Sequence, residues 1–343
     1  MSSRPAATAL LDGVVAQWAA LAARSRIRPV GESPRDLVLE VIEARDLAAG
    51  VRLIRLGASD GSELPAWDEG AHIDVVLPSG RIRQYSLCGD REDRSEYRIA
   101  VRRLPAGGGG SLEVHTLAPG DRLGVRGPRN AFPFAYPHLA RREIDDVVFI
   151  AAGIGITALL PMVRAAAHAG VPWRLVYVGR DRASMPFLDE LEAGGAGSVR
   201  ILLGRPEADD VLADVAARTS VYFCGPPPFL EAIQVALARR EHAGFHFERF
   251  VPPAVVGGAP FALRLASTGR QVSVRADESA LAALRTVQPD APYSCQQGYC
   301  GTCRVRVVSG EVERRGTSMF RAGEQTMLPC VDRAVGECIT IEA

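Results

Sequence analysis

The sequence lacks net charge: 40 lysines and arginines balance 40 aspartates and glutamates over 343 residues, and no long basic run breaks that balance. The electrostatic footprint of a nucleic-acid binder is missing, so that class of partner is excluded. It also lacks an apolar run that would span a bilayer. The patch ALLDGVVAQWAALAA near the N-terminus is interrupted by Asp12 and Gln17, is too short to cross, and is followed by no cleavage-type sequence. It reads as a surface helix, and the protein as cytoplasmic with no membrane partner. Cysteine is scarce as well, at seven residues. In a reducing cytosol disulfides are rare, and clustered cysteines point instead to metal binding or catalysis. At 47% hydrophobic and 23% charged the composition is ordinary, and the length exceeds one core, so two or three domains are expected.

Three of the seven cysteines fall within nine residues, in CQQGYCGTC. The spacing is Cys295-x4-Cys300-x2-Cys303, followed later by Cys330 in LPCVDRA. Four thiolates in a C-x4-C-x2-C…C pattern match plant-type [2Fe–2S] ligation. Zinc sites pair two short knuckles, and one triplet with a distant fourth cysteine does not make two. Gly298 and Gly301 suit a loop that must turn its N–H groups toward a negatively charged cluster. Cys338 is the competing fourth ligand. It lies in an alternating segment, ECITIEA, that reads as a terminal strand with a small buried cysteine, so Cys330 is preferred.

Upstream, DDVVFIAAGIGITALLPMVRAAAHAG reads as a buried strand, a glycine turn and an amphipathic helix. Gly153, Gly155 and Ala158 fit G-x-G-x-x-A, in which the first glycine makes a tight turn, the second admits a pyrophosphate, and the third small residue lets helix pack on strand. WRLVYVGR, SVRILLG and SVYFCGP repeat the apolar strand signature of a doubly wound parallel sheet. The last ends at Cys224-Gly225-Pro226, and strand ends are where such sheets place ligands. On composition alone, a buried strand cysteine is the blander reading of Cys224.

Between about Asp36 and Pro137 the pattern changes to six short alternating strands with Gly/Pro turns, as in a small closed barrel. Within it, Arg83-Gln84-Tyr85-Ser86 combines a phosphate fork, a flat ring and a hydroxyl. The run GGGGS, Gly107 to Ser111, offers backbone N–H groups to an anion, or is simply a glycine turn.

The stretches RQYSLCGD, GPRNAFPF, AAGIGITALLPM, YVGR, YFCGPPPF and HFERF, with the four-cysteine pattern, together resemble the phthalate dioxygenase reductase family, including the vanillate demethylase reductases. The resemblance implies a multidomain chain: an antiparallel six-stranded flavin-binding β-barrel over 36–137, an α/β doubly wound nucleotide-binding domain over 138–252, and a β-grasp plant-type ferredoxin domain over 253–343. Residues 1–35 form an N-terminal extension without a functional reading. It implies NADH as substrate, FMN and a [2Fe–2S] cluster as cofactors, and an oxygenase component, Rieske-type before P450, as partner of a monomeric reductase. Arg83 is then expected at the flavin phosphate, Tyr85 against the isoalloxazine, Ser86 near its N5, and Gly110 and Ser111 at the phosphate. Gly155 and Thr157 would contact NADH, Cys224, Gly225 and Pro226 would flank the nicotinamide, and Glu248 and Phe250 would approach the flavin edge. Cys295 with Cys300 would hold one iron, and Cys303 with Cys330 the other. Ser86, Cys224 and Glu248 would orient and tune, none acting as nucleophile. Arg180 is expected near the pyrophosphate or adenine, and Asp181 at the ribose, favouring NADH.

Two departures stand out. Gly108 replaces an arginine common in the family's glycine run, and Ala158 replaces a common proline. An FAD reductase serving a cytochrome P450 and a redox-responsive sensing module are the alternative readings. AFPFAY is the single candidate platform for an adenine, which favours FMN.

Overall fold

A computed structural model describes residues 36–105, 109–134, 144–193, 198–250, 255–289, 291–293, 296, 298, 301–315 and 325–342. The N-terminal extension, Gly107, Gly108, Cys295 and Cys300 lie outside these.

The first sheet contains β1 (Asp36–Ala48), β2 (Val51–Gly57), β3 (Ala71–Val76), β4 (Ile82–Ser86), β5 (Glu96–Arg102) and β6 (Arg122–Asn130), ordered β4-β3-β6-β1-β2-β5. Every pairing in it is antiparallel. Successive side chains of a strand point to opposite faces, so residues two apart share a fate. Leu39 and Val41, Ile73 and Val75, and Leu123 and Val125 accordingly enter one apolar core, while Val38 faces out. Each such side chain, once buried, is worth about 1.5–3 kcal/mol against exposure. A short helix, α1 (Gly110–Val114), follows the glycine run. The six strands are those the alternation predicts.

The second sheet is parallel throughout: β7 (Asp146–Ala152), β8 (Trp173–Gly179), β9 (Ser198–Leu203), β10 (Thr219–Cys224) and β11 (Gly244–Glu248), ordered β11-β10-β7-β8-β9. Helices α2 (Ile156–His168), α3 (Leu188–Ala193), α4 (Ala208–Val211) and α5 (Pro227–Leu237) connect the strands. Strand β7 shows why its sequence is apolar without alternation. Val147, Phe149 and Ala151 fill one core and Val148, Ile150 and Ala152 another, because helices cover both faces. The chain leaves β7 toward β8 and later returns to its other side as β10. The strand order therefore reverses between β7 and β10, and the crevice beyond those strand ends is the place for a ligand.

The third sheet contains β12 (Phe261–Leu265), β13 (Gln271–Val274), β14 (Val305–Ser309), β16 (Thr326–Met327) and β18 (Cys338–Glu342), ordered β13-β12-β18-β14-β16, beside a small pair of β15 (Val312–Glu313) and β17 (Arg333–Ala334). Helix α6 (Ala280–Val287) buries Ala283 and Leu284 against Leu263 and Ile341. Ser279 caps it, accepting from the Ala282 N–H at 3.2 Å and so satisfying one of the open amides of its first turn. Cys338 is on β18 as expected for a terminal strand, but it is exposed rather than buried. The strand's alternation turns Ile339 and Ile341 inward, which leaves Cys338 on the outer phase.

Among the described residues, no helix is long and apolar enough to cross a membrane.

Candidate active site and cluster site

Strand β4 ends where the parallel sheet ends. Ser86, at the last position of β4, is buried, and its hydroxyl donates to Glu248 Oε2 at 3.4 Å. Glu248 is the last residue of β11 and lies in register beside Cys224, the last residue of β10. Desolvation pushes the Glu248 carboxyl up to about 8, and the Ser86 hydrogen bond opposes it. Cys224 is fully buried, and burial, then the neighbouring Glu248, raises its thiol well above the ordinary value. That thiol is inert as a nucleophile. Ser86 thus meets Glu248, and Glu248 lies beside Cys224, at the ends of β11 and β10 next to the switch point of the sheet.

The rest of β4 builds outward from this point. Tyr85 packs against the barrel core, with its hydroxyl pushed up to about 12 by burial. Arg83 donates to the Ile82 carbonyl at 2.9 Å and lies against Gly110, where a Cβ would come 2.6 Å from its Nε. Glycine at this position lets the Arg83 side chain cross it closely. Ser111 Oγ accepts from the Leu104 N–H at 3.0 Å, which ties α1 to the end of β5. Gln84 faces the other way, and its Nε2 is buried without a partner among the described residues. This strand fits a flavin: a guanidinium and a helix start at one end, a ring in the middle, and a buried hydroxyl at the other.

The nucleotide turn behaves differently from its sequence reading in one respect. Gly153 has a φ of 57°, which suits a tight turn. Gly155, expected to admit a pyrophosphate, is hemmed in by its own protein: a Cβ there would lie within contact distance of the Cys224 carbonyl. The lack of a side chain serves the approach of the turn to β10. Thr157 is buried, and its hydroxyl donates to the Ile154 carbonyl at 2.9 Å, so that group is committed to the first turn of α2. Gly225 and Pro226 continue from Cys224 into α5, Pro226 being the residue before its first turn. Phe250 lies past β11 and is 46% exposed.

After β8, Asp181 caps a single helical turn. Its Oδ1 accepts from the Ser184 N–H at 2.9 Å and its Oδ2 from Arg180 Nε at 3.0 Å. These bonds hold its carboxyl below the ordinary range, with Arg180 as the largest cause. Asp181 shapes this turn with both oxygens, a role its sequence position alone does not reveal.

Arg102 is the residue that sequence reasoning missed. It ends β5 of the barrel, yet its Nη2 donates at 2.7 Å to the Ser184 carbonyl in the nucleotide sheet, and a Cβ on Gly153 would lie 4.0 Å from the same nitrogen. Desolvation lowers its pKa. A second bond, from the Ala49 N–H to the Ala183 carbonyl at 2.8 Å, fastens the same turn to the barrel.

In the third sheet, Cys303 and Cys330 are buried with their sulfurs 3.3 Å apart, among Leu281, Tyr293 and Leu328. A disulfide requires about 2.05 Å. Two adjacent unlinked thiols fit as two ligands of one iron of the expected cluster. Gly298 and Gly301, with φ of 75° and 71°, supply the left-handed turns of the loop that leads to Cys303.

Residues 263–334 match the family model described as a 2Fe-2S iron-sulfur cluster binding domain. A phthalate 4,5-dioxygenase reductase subunit from Pseudomonas putida is 32% identical over 89% of this chain and 96% of its own length. The solved phthalate dioxygenase reductase, described as a modular structure for electron transfer from pyridine nucleotides to [2Fe–2S], superposes with a TM-score of 0.66. It is 30% identical over 90% of this chain and 98% of that one. This chain belongs to the phthalate dioxygenase and vanillate demethylase reductase family. An intact self-sufficient cytochrome P450 monooxygenase is also similar, at a TM-score of 0.70 and 36% identity over 93% of this chain, which spans 43% of that protein. The chain is thus an oxidoreductase of flavin barrel, nucleotide sheet and [2Fe–2S] ferredoxin domain, in that order.

Proposed function

We propose that this protein is the cytoplasmic reductase of a Rieske-type oxygenase, drawing electrons from NADH through FMN and a [2Fe–2S] cluster to that partner. The observation that carries this reading is the meeting of Ser86, Cys224 and Glu248 where the barrel strand abuts the switch point of the nucleotide sheet. A bound flavin would supply the exchange between a two-electron hydride donor and a one-electron acceptor. The remaining tasks fall to the chain. Arg83, with Gly110 and Ser111 at the start of α1, would hold the phosphate, and Tyr85 would lie along the ring system. Ser86 and Glu248 hold a hydroxyl and, below about pH 8, a carboxyl proton at the edge of the crevice. Cys224, Gly225 and Pro226 would pack against the nicotinamide, and the buried thiol keeps water from that side. Gly155 and Thr157 shape the turn beneath the dinucleotide, Arg102 and Arg180 present cations to its phosphates, and Phe250 would cover the flavin edge. Cys303 and Cys330 would hold one iron and Cys295 with Cys300 the other. The reading keeps boundaries at 36–137, 138–252 and 253–343: the sheets break between Asn130 and Asp146 and between Glu248 and Phe261, and the residues at these two junctions, 137–138 and 252–253, lie outside the described ones.

Chromatography of the flavin released on denaturation, with iron and sulfide analysis, tests this reading. It is expected to give FMN and two irons per chain. FAD alone would overturn the flavin assignment, and zinc in place of iron the cluster. The second reading, a P450 as acceptor, is favoured by the 36% identity to the self-sufficient P450. Cluster-dependent reduction assayed against a panel of Rieske oxygenases and P450s separates the two.

A further inference from the structure

The segment that leads from the nucleotide sheet into the ferredoxin domain is held by two arginines that are also tied to the loop of the fourth cysteine. Arg333 is 1% exposed, although it carries a full charge. Its Nη1 donates to the Glu278 carbonyl at 2.6 Å, and its Nη2 to the carbonyls of Ala259 at 2.8 Å and Arg275 at 2.9 Å, with the Phe261 ring 5.1 Å from its Cζ. Among the described residues no carboxylate pairs with it. Arg315 Nη1 and Nη2 reach the carbonyls of Val256 at 2.8 Å and Gly257 at 3.1 Å. Gly258 lies between these contacts, where a Cβ would run into the Ala276 backbone carbonyl and come 2.9 Å from Arg333 Nε.

The same two arginines lead to the cluster. The backbone N–H of Arg315 donates to Asp332 Oδ1 at 3.0 Å, and Asp332 Oδ2 accepts from the Leu328 N–H at 2.8 Å. The Asp332 N–H in turn donates to the Leu328 carbonyl at 2.8 Å, closing a turn around Cys330. Asp332 is buried, so neither bond is shared with solvent. A buried guanidinium whose two Nη groups are met by neutral carbonyls, and whose Nε has no partner among the described residues, is a poor choice for stability, since apolar replacements of buried charges are often as stable or more so. It is a good choice for fixing geometry, because its planar fork joins three separate chain segments at set angles.

We propose that Arg333 is a positioning residue for electron entry: it ties Ala259 to the Cys330 turn, as Arg315 ties Val256 and Gly257, and so fixes the cluster relative to the point where the chain enters from the domains that reduce it. This rests on the proposed function. The clamp does not touch the hydride-transfer site, so its loss separates flavin reduction from cluster reduction. Displacements of an ångström in a reacting geometry cost on the order of tenfold to a hundredfold in rate.

The test uses the full-length holoprotein with Arg333→Met, Arg333→Lys and Gly258→Ala. Three quantities are read: amide exchange over residues 256–259, cluster content and line shape by electron paramagnetic resonance, and the stopped-flow rate of cluster reduction after NADH. In Arg333→Met and Gly258→Ala, exchange is expected to quicken and cluster reduction to slow about tenfold. Cluster content and NADH–ferricyanide turnover stay at the wild-type level, and Arg333→Lys falls between. Wild-type exchange and wild-type cluster reduction in both variants overturn the proposal. If Arg333→Met fails to hold a cluster, Arg333→Lys, which keeps the charge but not the fork, decides together with Gly258→Ala, whose methyl displaces the segment from both the Ala276 carbonyl and Arg333. A wild-type protein whose cluster is not reduced by NADH sinks the proposed function instead, and the exchange comparison still tests the clamp.

Discussion

At the junction of barrel and nucleotide sheet, Ser86 and Glu248 meet across 162 residues of sequence. In the ferredoxin domain, by contrast, Cys303 is drawn from a nine-residue cluster and meets Cys330 only 27 residues on. The first site exists because three strand ends from two sheets converge, and every part of it depends on how the sheets dock. The second brings Cys303 and Cys330 together over a local pocket of Leu281, Tyr293 and Leu328. Damage at the junction should therefore spread between flavin and nicotinamide functions, while damage at the loop should stay confined.

The sharpest break of that comparison is Cys303→Ser. Removing one thiolate of four is expected to abolish the cluster and, with it, reduction of protein acceptors that take one electron, a loss of more than about a hundredfold. NADH-driven ferricyanide reduction should persist, because the junction shares no residue with the loop. Loss of both activities would show that the sites are not separable. Cys338→Ser, at an exposed position of β18, should leave the visible spectrum unchanged.

Gly155→Ala attacks the other side. The new methyl would meet the Cys224 carbonyl, a fixed backbone atom, so turn and strand must part. Hydride transfer is expected to fall by roughly a hundredfold, in keeping with the cost of ångström-scale misplacement. Cluster content, read from the spectrum of dithionite-reduced protein, should hold.

Legibility in the sequence follows the same divide. The cluster-binding domain was readable because its cysteines follow a spacing that [2Fe–2S] ligation uses, and the six barrel strands because alternation exposes a face. The nucleotide strands were readable as apolar runs, save β11, whose residues are all half-buried and carry no clear pattern. The junction was not readable from the residues alone. Neither the contact of Ser86 with Glu248, the crowding of Gly155 by Cys224, nor the reach of Arg102 into the next domain leaves a local trace, because each is set by the docking of sheets. Family resemblance pointed to Ser86 and Glu248 but not to Arg102. It also gave no warning that Asp181 spends both carboxylate oxygens on its own turn.

A smaller effect comes from the Glu248 carboxyl. Its folded pKa, about 8, is raised by desolvation above the value of 4.5 for an ordinary carboxyl. The unfolded chain therefore releases this proton first as pH rises, and native stability falls through the window from about 4.5 to about 8, then levels. Glu248→Gln cannot titrate and should remove that share of the slope. Melting temperatures of the two proteins across pH 5–8 are expected to converge at the acid end and to favour the variant by a few degrees at the alkaline end. Parallel curves would show that Glu248 stays ionised throughout.

The smallest expected effect concerns the choice of nicotinamide at Asp181, a residue of the junction that behaves as a local element. A carboxylate near the ribose repels a 2′-phosphate, so NADH should exceed NADPH in kcat/KM by about tenfold, or about 1.4 kcal/mol of transition-state binding. Asp181→Ala removes that charge, but it also releases the Ser184 amide and the Arg180 side chain, which Asp181 now holds. A freed Arg180, already 81% exposed, can turn toward a 2′-phosphate. The variant should thus narrow the preference from both directions, by loss of repulsion and by gain of a cation. Asp181→Asn keeps an oxygen to cap Ser184 while losing the charge, and so isolates the repulsion. If the Asn variant keeps the NADH preference while the Ala variant loses it, Asp181 selects the nucleotide through the shape of its turn. If both lose it, the charge itself discriminates.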